Sequence, residues 1–318
     1  MGTLKRKIFE ISLDEASFER RGFRGGNAAV RERLERIGRC LLSGYHAALE
    51  SDDPESLAAS LGSIAPEDRG FAFEGAGMML AILDRISPWN RSRFSRFLAG
   101  PAAPYIYMVY AGFGWAMARL PFSVESGLKR LDPALCWLAV DGYGFHQGFF
   151  HWRDAIDRHV VPRRVRGYGR RAFDQGLGRS LWFVDGTEVR RIARTIESFP
   201  TSRHADLWSG IGLACTYAGG ADADALRELR TVASPYLPEL AQGSAFGATA
   251  RFTDGTIPEH TRLACGILTG RTVEDTAHAA LGVRETLPEG DSENPIYELW
   301  RRGIQACLSV DSERKYSA

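Results

Sequence analysis

Cysteine is scarce in this chain. Cys40, Cys136, Cys215, Cys265 and Cys307 are odd in number, far apart and never in a Cys-x-x-Cys pair. That spacing argues against a disulfide scaffold or a zinc module and for a reduced, cytoplasmic protein. Cys136 and Cys215 sit in apolar helical contexts and read as small core residues. Net charge is almost absent: 40 basic against 39 acidic side chains leave +1, so no nucleic-acid partner or anionic membrane is implied. Long apolar runs are missing. The best candidate, 105–120, is broken by glycines and carries Arg119 at its end, too short for a bilayer. After the basic start Met1-Gly2-Thr3-Leu4-Lys5-Arg6-Lys7 come Glu10, Asp14, Glu15 and Glu19 rather than an apolar signal core. Period-two alternation never exceeds about four residues, so no strand is expected. A Walker loop, a Gly-x-Ser-x-Gly elbow and His-Glu-x-x-His are all lacking, and no glycine pair follows a strand as a dinucleotide fold requires.

Glycine, in contrast, recurs with a pattern. Small-residue pairs lie inside apolar helical stretches at Gly75-Ala76-Gly77, Gly112-Phe113-Gly114, Gly142-Tyr143-Gly144, Gly176-Leu177-Gly178, Gly210-Ile211-Gly212 and Gly243-Ser244-Ala245. Their first glycines are 37, 30, 34, 34 and 33 residues apart. A period of that size predicts stacked helix pairs, each too small to bury its own apolar face. Glycine is costly in an exposed helix, so its recurrence at one position implies close packing on the backbone there. Trp208-x-x-Ile211-Gly212 resembles the tetratricopeptide element in one copy. The expected fold is all-α: a helical-hairpin repeat array, a tetratricopeptide-like α-solenoid or α/α array, of about six to seven repeats of roughly 34 residues. Residues 1–27 read as an irregular lead-in, 28–308 as a single all-helical repeat domain, and 309–318 as a disordered tail.

Within the array, long helices carrying the glycine pair alternate with shorter amphipathic ones. Val30, Leu34, Ile37, Leu41 and Leu42 give 28–50 a helical face. In 187–199, Val189, Ile192, Ala193 and Ile196 mark a buried face against Arg190, Arg191 and Arg194. Thr187 is a candidate cap there, and Asp222 a better one for 222–234. Asp132-Pro133 reads as a helix start and Gly219-Gly220 as a stop. Pro88, Pro101, Pro104, Pro121, Pro133, Pro162, Pro200, Pro235, Pro238 and Pro258 are placed between helices.

Aligning the copies on the first glycine exposes a column just before it: Glu74, Ala111, Asp141, Gln175, Ser209 and Gln242. Five of these six are polar amid apolar helices. If the copies are equivalent, they share one face, turned to a groove or closed cavity. Hydrogen bonding along the column is the structural explanation, since an unpartnered polar group there costs about 1–3 kcal/mol. Reactive groups are densest in the third and fourth copies. His146 with Asp141 or Asp174 would make a general base and its orienting carboxylate. A lone buried histidine is the alternative. Tyr143, Gln147, Gln175, Arg179, Glu74, Trp115 and Phe149 are candidate ligand contacts, because rings beside glycines suit a flat apolar molecule. His146 and His151 diverge by about 140° on a regular helix, which disfavours a shared metal, and no metal ligands are assigned. A metal held by His146 with Glu74 is a weaker reading. The run Arg163-Arg164-Val165-Arg166-Gly167-Tyr168-Gly169-Arg170-Arg171 reads as a solvated loop before it reads as a phosphate site.

Phe73-Glu74-Gly75-Ala76-Gly77-Met78, Asp141-Gly142-Tyr143-Gly144-Phe145-His146-Gln147-Gly148 and Phe173-Asp174-Gln175-Gly176-Leu177-Gly178-Arg179-Ser180-Leu181-Trp182 resemble the UnbL family over nearly the whole chain. That family is encoded beside the iterative polyketide synthase of enediyne antibiotic clusters. The resemblance implies a pathway and no reaction, and it carries no catalytic residues or cofactor. It implies a hydrophobic polyene or polyketide ligand, with the synthase or a membrane-embedded cassette protein as further partners. A non-catalytic scaffold docked on those partners is the rival reading. Its signature is charged ridges on the concave face and no enclosed pocket.

Overall fold

The computed structural model describes residues 9–87, 89–121 and 123–316, with side chains up to Ser309. Proline and short polar caps cut this chain into helices, and no strand occurs among the described residues. After a single α-helical turn at Phe18–Arg21 they are α1 (Ala28–Glu50), α2 (Pro54–Gly62), α3 (Pro66–Ile86), α4 (Arg93–Ala99), α5 (Ile106–Arg119), α6 (Val124–Leu128), α7 (Trp137–Phe150), α8 (Gly169–Val184), α9 (Val189–Glu197), α10 (Thr201–Ala218), α11 (Ala223–Val232), α12 (Leu237–Asp254), α13 (Glu259–Thr269), α14 (Val273–Glu285) and α15 (Ile296–Tyr316). Asn27, Asp53, Ser123, Asp222 and Thr272 each cap the following helix by accepting from a backbone N–H in its first turn.

The long helices meet through their glycines. Positions i and i+2 of a helix are about 200° apart, so a Gly-x-Gly pair opens two opposite faces. A side chain at Gly75, Gly112, Gly142, Gly176, Gly210 or Gly243 would overlap a backbone carbonyl of the preceding long helix: that of Leu41, Glu74, Ala111, Asp141, Gln175 or Ser209. Each of the last five is the residue just before the first glycine of its own helix. At Gly44, Gly114, Gly144, Gly178 and Gly212 a side chain would overlap a carbonyl of the following long helix instead. Gly77 is looser, 3.0 Å from the Val109 oxygen for a hypothetical Cβ. The ends of the series fit this logic. α1 has no long helix before it and carries Leu42 where a first glycine would stand. α12 keeps Gly243 but carries Ala245 in second place.

The shorter helices pack outside, and α9 buries Val189, Ile192, Ala193 and Ile196, the face the sequence assigns. Its cap differs. Thr187 has φ +60° and donates to the Gly220 carbonyl rather than capping. Asp132 accepts from the Ala134 and Leu135 amides, but the regular helix begins at Trp137. Gly219 ends α10 with φ +70°. Pro238 falls in the first turn of α12, and Pro88 lies outside the described residues. Between α7 and α8 a π-helical turn, Arg153–Asp157, replaces an amphipathic helix.

The series curls until its beginning meets its end. Arg33 of α1 donates to the Ala218 carbonyl of α10 at 2.7 Å, and Arg251 of α12 to the Glu67 carbonyl of α3 at 2.9 Å. Residues 9–27 do more than lead in. Ile11, Ala16 and Phe18 are buried, and Arg24 pairs with Asp185 at the end of α8. α15 packs on α12 and α14, burying Tyr297, Trp300 and Arg301. It runs on to Tyr316, through most of the segment read as a tail. One hydrophobic cluster extends from Ile11 to Leu308. No helix of the described residues is long and apolar enough to cross a membrane.

Candidate functional site

Because α1, α3, α5, α7, α8 and α10 pack in one register, their inward side chains converge. They surround a largely apolar cavity lined by Ile37, Leu41, Phe71, Trp115, Phe145, Phe149, Phe150, Phe183, Leu213 and Tyr217, with Glu15, Glu74 and Arg179 as its charged groups. About 40 Å³ is open to the centres of water-sized molecules, enough for a few waters at about 10–15 Å³ each. A second recess of about 20 Å³ lies beyond Arg179, Leu213 and Tyr217 and is closed by Phe246 and Trp300.

The polar column forms a ladder. Trp115 Nε1 donates to Glu74 Oε1 at 3.1 Å, and Arg179 lies 3.9 Å from that oxygen while it pairs closely with Asp141. Gln175 Nε2 donates to Asp141 Oδ2 and to the Tyr297 hydroxyl oxygen, both at 2.8 Å. Ser209 donates to Gln242 Oε1 at 2.9 Å, and Arg301 Nε donates to the same oxygen at 3.2 Å. All of these side chains are buried. Ala111 leaves a gap in the column, which Trp115 on the same helix fills.

One cation serves two carboxylates at the cavity. Burial pushes Glu74 up to about 7; Arg179 and the Trp115 hydrogen bond oppose the rise and Asp141 adds to it. A carboxyl that titrates near neutrality inside an apolar chamber can give or take a proton there. Thiolate chemistry is disfavoured, since burial pushes Cys136 and Cys215 up to about 11 and about 12. No group of three or more His, Cys, Asp or Glu suited to a metal ion occurs among the described residues.

Of the residues expected from sequence, Glu74, Trp115, Phe149 and Arg179 line the cavity, and Asp141 and Gln175 stand directly behind it. The expected pairing of His146 with Asp141 or Asp174 does not form. Asp141 is held by Arg179 and Gln175, and Asp174 by Arg203 at 2.5 and 2.9 Å. Burial nevertheless pushes Asp174 up to about 6. His146 turns outward, its ring edge-on to Trp115 at 5.5 Å and 4.8 Å from Phe150. Trp115 thus stands between His146 and Glu74, against a shared metal. The two histidines are closer than a regular helix allows, with ring centroids 6.0 Å apart, because α7 ends at Phe150. Tyr143 accepts from Arg164 at 2.8 Å, away from the cavity, and Gln147 is half-buried outside it.

The arginine run is no simple solvated loop. Arg164 also donates to the Ala118 and Leu120 carbonyls, and Arg171 pairs with Asp206 and Glu298. Sequence reasoning missed the α15 residues Tyr297 and Arg301 and the cavity wall from α10. The polar Tyr217 in an apolar helix was the one signal for the latter.

No curated protein and no solved structure matches the chain. A family model does match, over residues 1–308. The chain belongs to the family described as proteins of unknown function, DUF1702.

Proposed function

We propose that this protein is a cytoplasmic accessory protein of enediyne biosynthesis. It binds a hydrophobic, polyene-derived polyketide intermediate in its central cavity and assists maturation of that intermediate toward the enediyne core. The carrying observation is the internal aromatic cavity, with Glu15, Glu74 and Arg179 as its charged groups. Rings and aliphatic side chains suit a flat conjugated chain, which water would otherwise drive to aggregate. The space present is far below the about 300–1,000 Å³ of a typical ligand pocket. Binding therefore requires rings such as Phe149 and Phe150 to swing aside. Glu74 is the group that moves a proton on the bound chain, with Arg179 and Asp141 setting its charge state. The architecture that goes with this reading is a tetratricopeptide-like helical-hairpin array whose long helices form the inner wall.

The rival reading, a scaffold docked on the synthase or a membrane partner, foresees no enclosed pocket and finds less support. Metabolite profiles from the synthase expressed alone, with this protein, and with its Glu74→Gln variant test the proposal. A product that appears only with the wild type supports it. Identical profiles from all three cultures count against any role in maturation.

A further inference from the structure

We propose that an open cleft just outside the cavity is an anion site, so that the ligand is an amphiphile: a long conjugated chain ending in a carboxylate. This rests on the cavity reading above and names the missing half of its ligand. The cleft is lined by Glu15, Arg21, Arg119, His146, Phe150 and His151, among others, with about 570 Å³ open to water. Glu15 and Phe150 also line the inner cavity. The two spaces therefore share a wall made of one phenyl ring and one carboxylate from the 9–21 segment.

The cleft carries one arginine with no ion pair among the described residues and one buried imidazole nitrogen with no hydrogen-bond partner. Arg119 forms no ion pair with a described carboxylate and has the Phe150 ring 5.9 Å from its guanidinium carbon. His146 is 4 % exposed, and its Nδ1 has no hydrogen-bond partner. A buried imidazole nitrogen left unpaired is costly unless something fills the role. Arg21 is paired with Glu15 at 2.7 Å, and Glu10 sits exposed on the rim. Burial holds His146 well below its ordinary range, and Arg119, His151, Arg21 and Arg164 push it further the same way. A carboxylate set between Arg119 and His151 would accept from both, while its chain passes Phe150 toward Trp115.

The test is a titration of the purified full chain with a long-chain conjugated tetraenoic acid and with its methyl ester, read by the polyene's own emission. The acid should bind about tenfold more tightly than the ester. Arg119→Gln combined with His151→Gln, both at exposed positions, should bring the acid to the ester's affinity and leave the ester unchanged. Equal affinity in the wild type, or a preference that survives the double substitution, overturns the anion site but not the cavity. No binding of either molecule overturns the cavity reading, and the anion site with it.

Discussion

Two buried ionic clusters lie on the same set of helices, and they are built differently. At the cavity, Arg179 stands alone against Asp141 and Glu74. Toward the C-terminus, Arg171 and Arg301 meet Asp206 and Glu298, and Tyr168 donates to Glu298 at 3.0 Å. The second cluster has a cation to spare, because Arg302 also pairs with Glu298 at 2.8 Å, and it ties α15 to α8 and α10. The first is one cation short and faces open space. Desolvating a charge costs several kcal/mol unless it is paired, so the shortfall falls on Glu74, which keeps its proton up to about pH 7. The cation-rich cluster holds the C-terminal helix in place, and the cation-poor one leaves a titratable group where a ligand would sit.

Substitutions can break this contrast. The largest effect is expected from Arg301→Ala, which removes the fully buried cation from Asp206 and Glu298 and leaves them to the more exposed Arg171 and Arg302. A loss of about 3 kcal/mol, the low end for a broken buried pair because other arginines remain, is expected in denaturant unfolding, and near-wild-type stability would mean the pairing is unimportant. Glu74→Gln should act in the opposite sense and depend on pH. Folding raises this carboxyl from 4.5 to about 7, so its contribution to stability is full below pH 4.5 and is lost as pH rises to about 7. The variant lacks that loss and should gain up to about 3 kcal/mol on wild type across the window. Parallel stability curves for the two proteins would rule out the raised carboxyl.

The glycines sharpen the contrast between packed and open helix faces. Gly176→Ala would push a methyl into the Asp141 carbonyl behind the cavity, at a cost of about 1–3 kcal/mol. Gly266→Ala, on an open face of α13 with nothing within 4 Å, should stabilise by about 0.5–1 kcal/mol. Thermal unfolding of both variants reads the opposite signs directly.

The helical series and its glycine register were legible in sequence because they are local sterics. A glycine needed at one point of contact must recur wherever that contact recurs. The polar column was legible for the same reason, and its members do meet in order from Glu74 to Gln242. His146 was misread because it lies five residues after Asp141, about 140° away around α7, while Asp174 on α8 is taken up by Arg203. The contributions of residues 9–21 and of α15 were invisible because they reach the site from the far ends of the chain. In the first segment only Ile11, Ala16 and Phe18 among charged neighbours hinted at burial. Tyr297 and Arg301 belong to no copy of the period.

The cavity can be tested by filling it. Ala214, on α10, lines it and is nearly buried, so Ala214→Trp should occupy the space. Emission of a neutral conjugated polyene ester, titrated into wild-type and variant protein of confirmed helicity, is the most direct measurement. Saturable one-to-one binding to the wild type, lost in Ala214→Trp, is the expected result. Equal binding by both proteins would place the ligand elsewhere and contradict a central chamber.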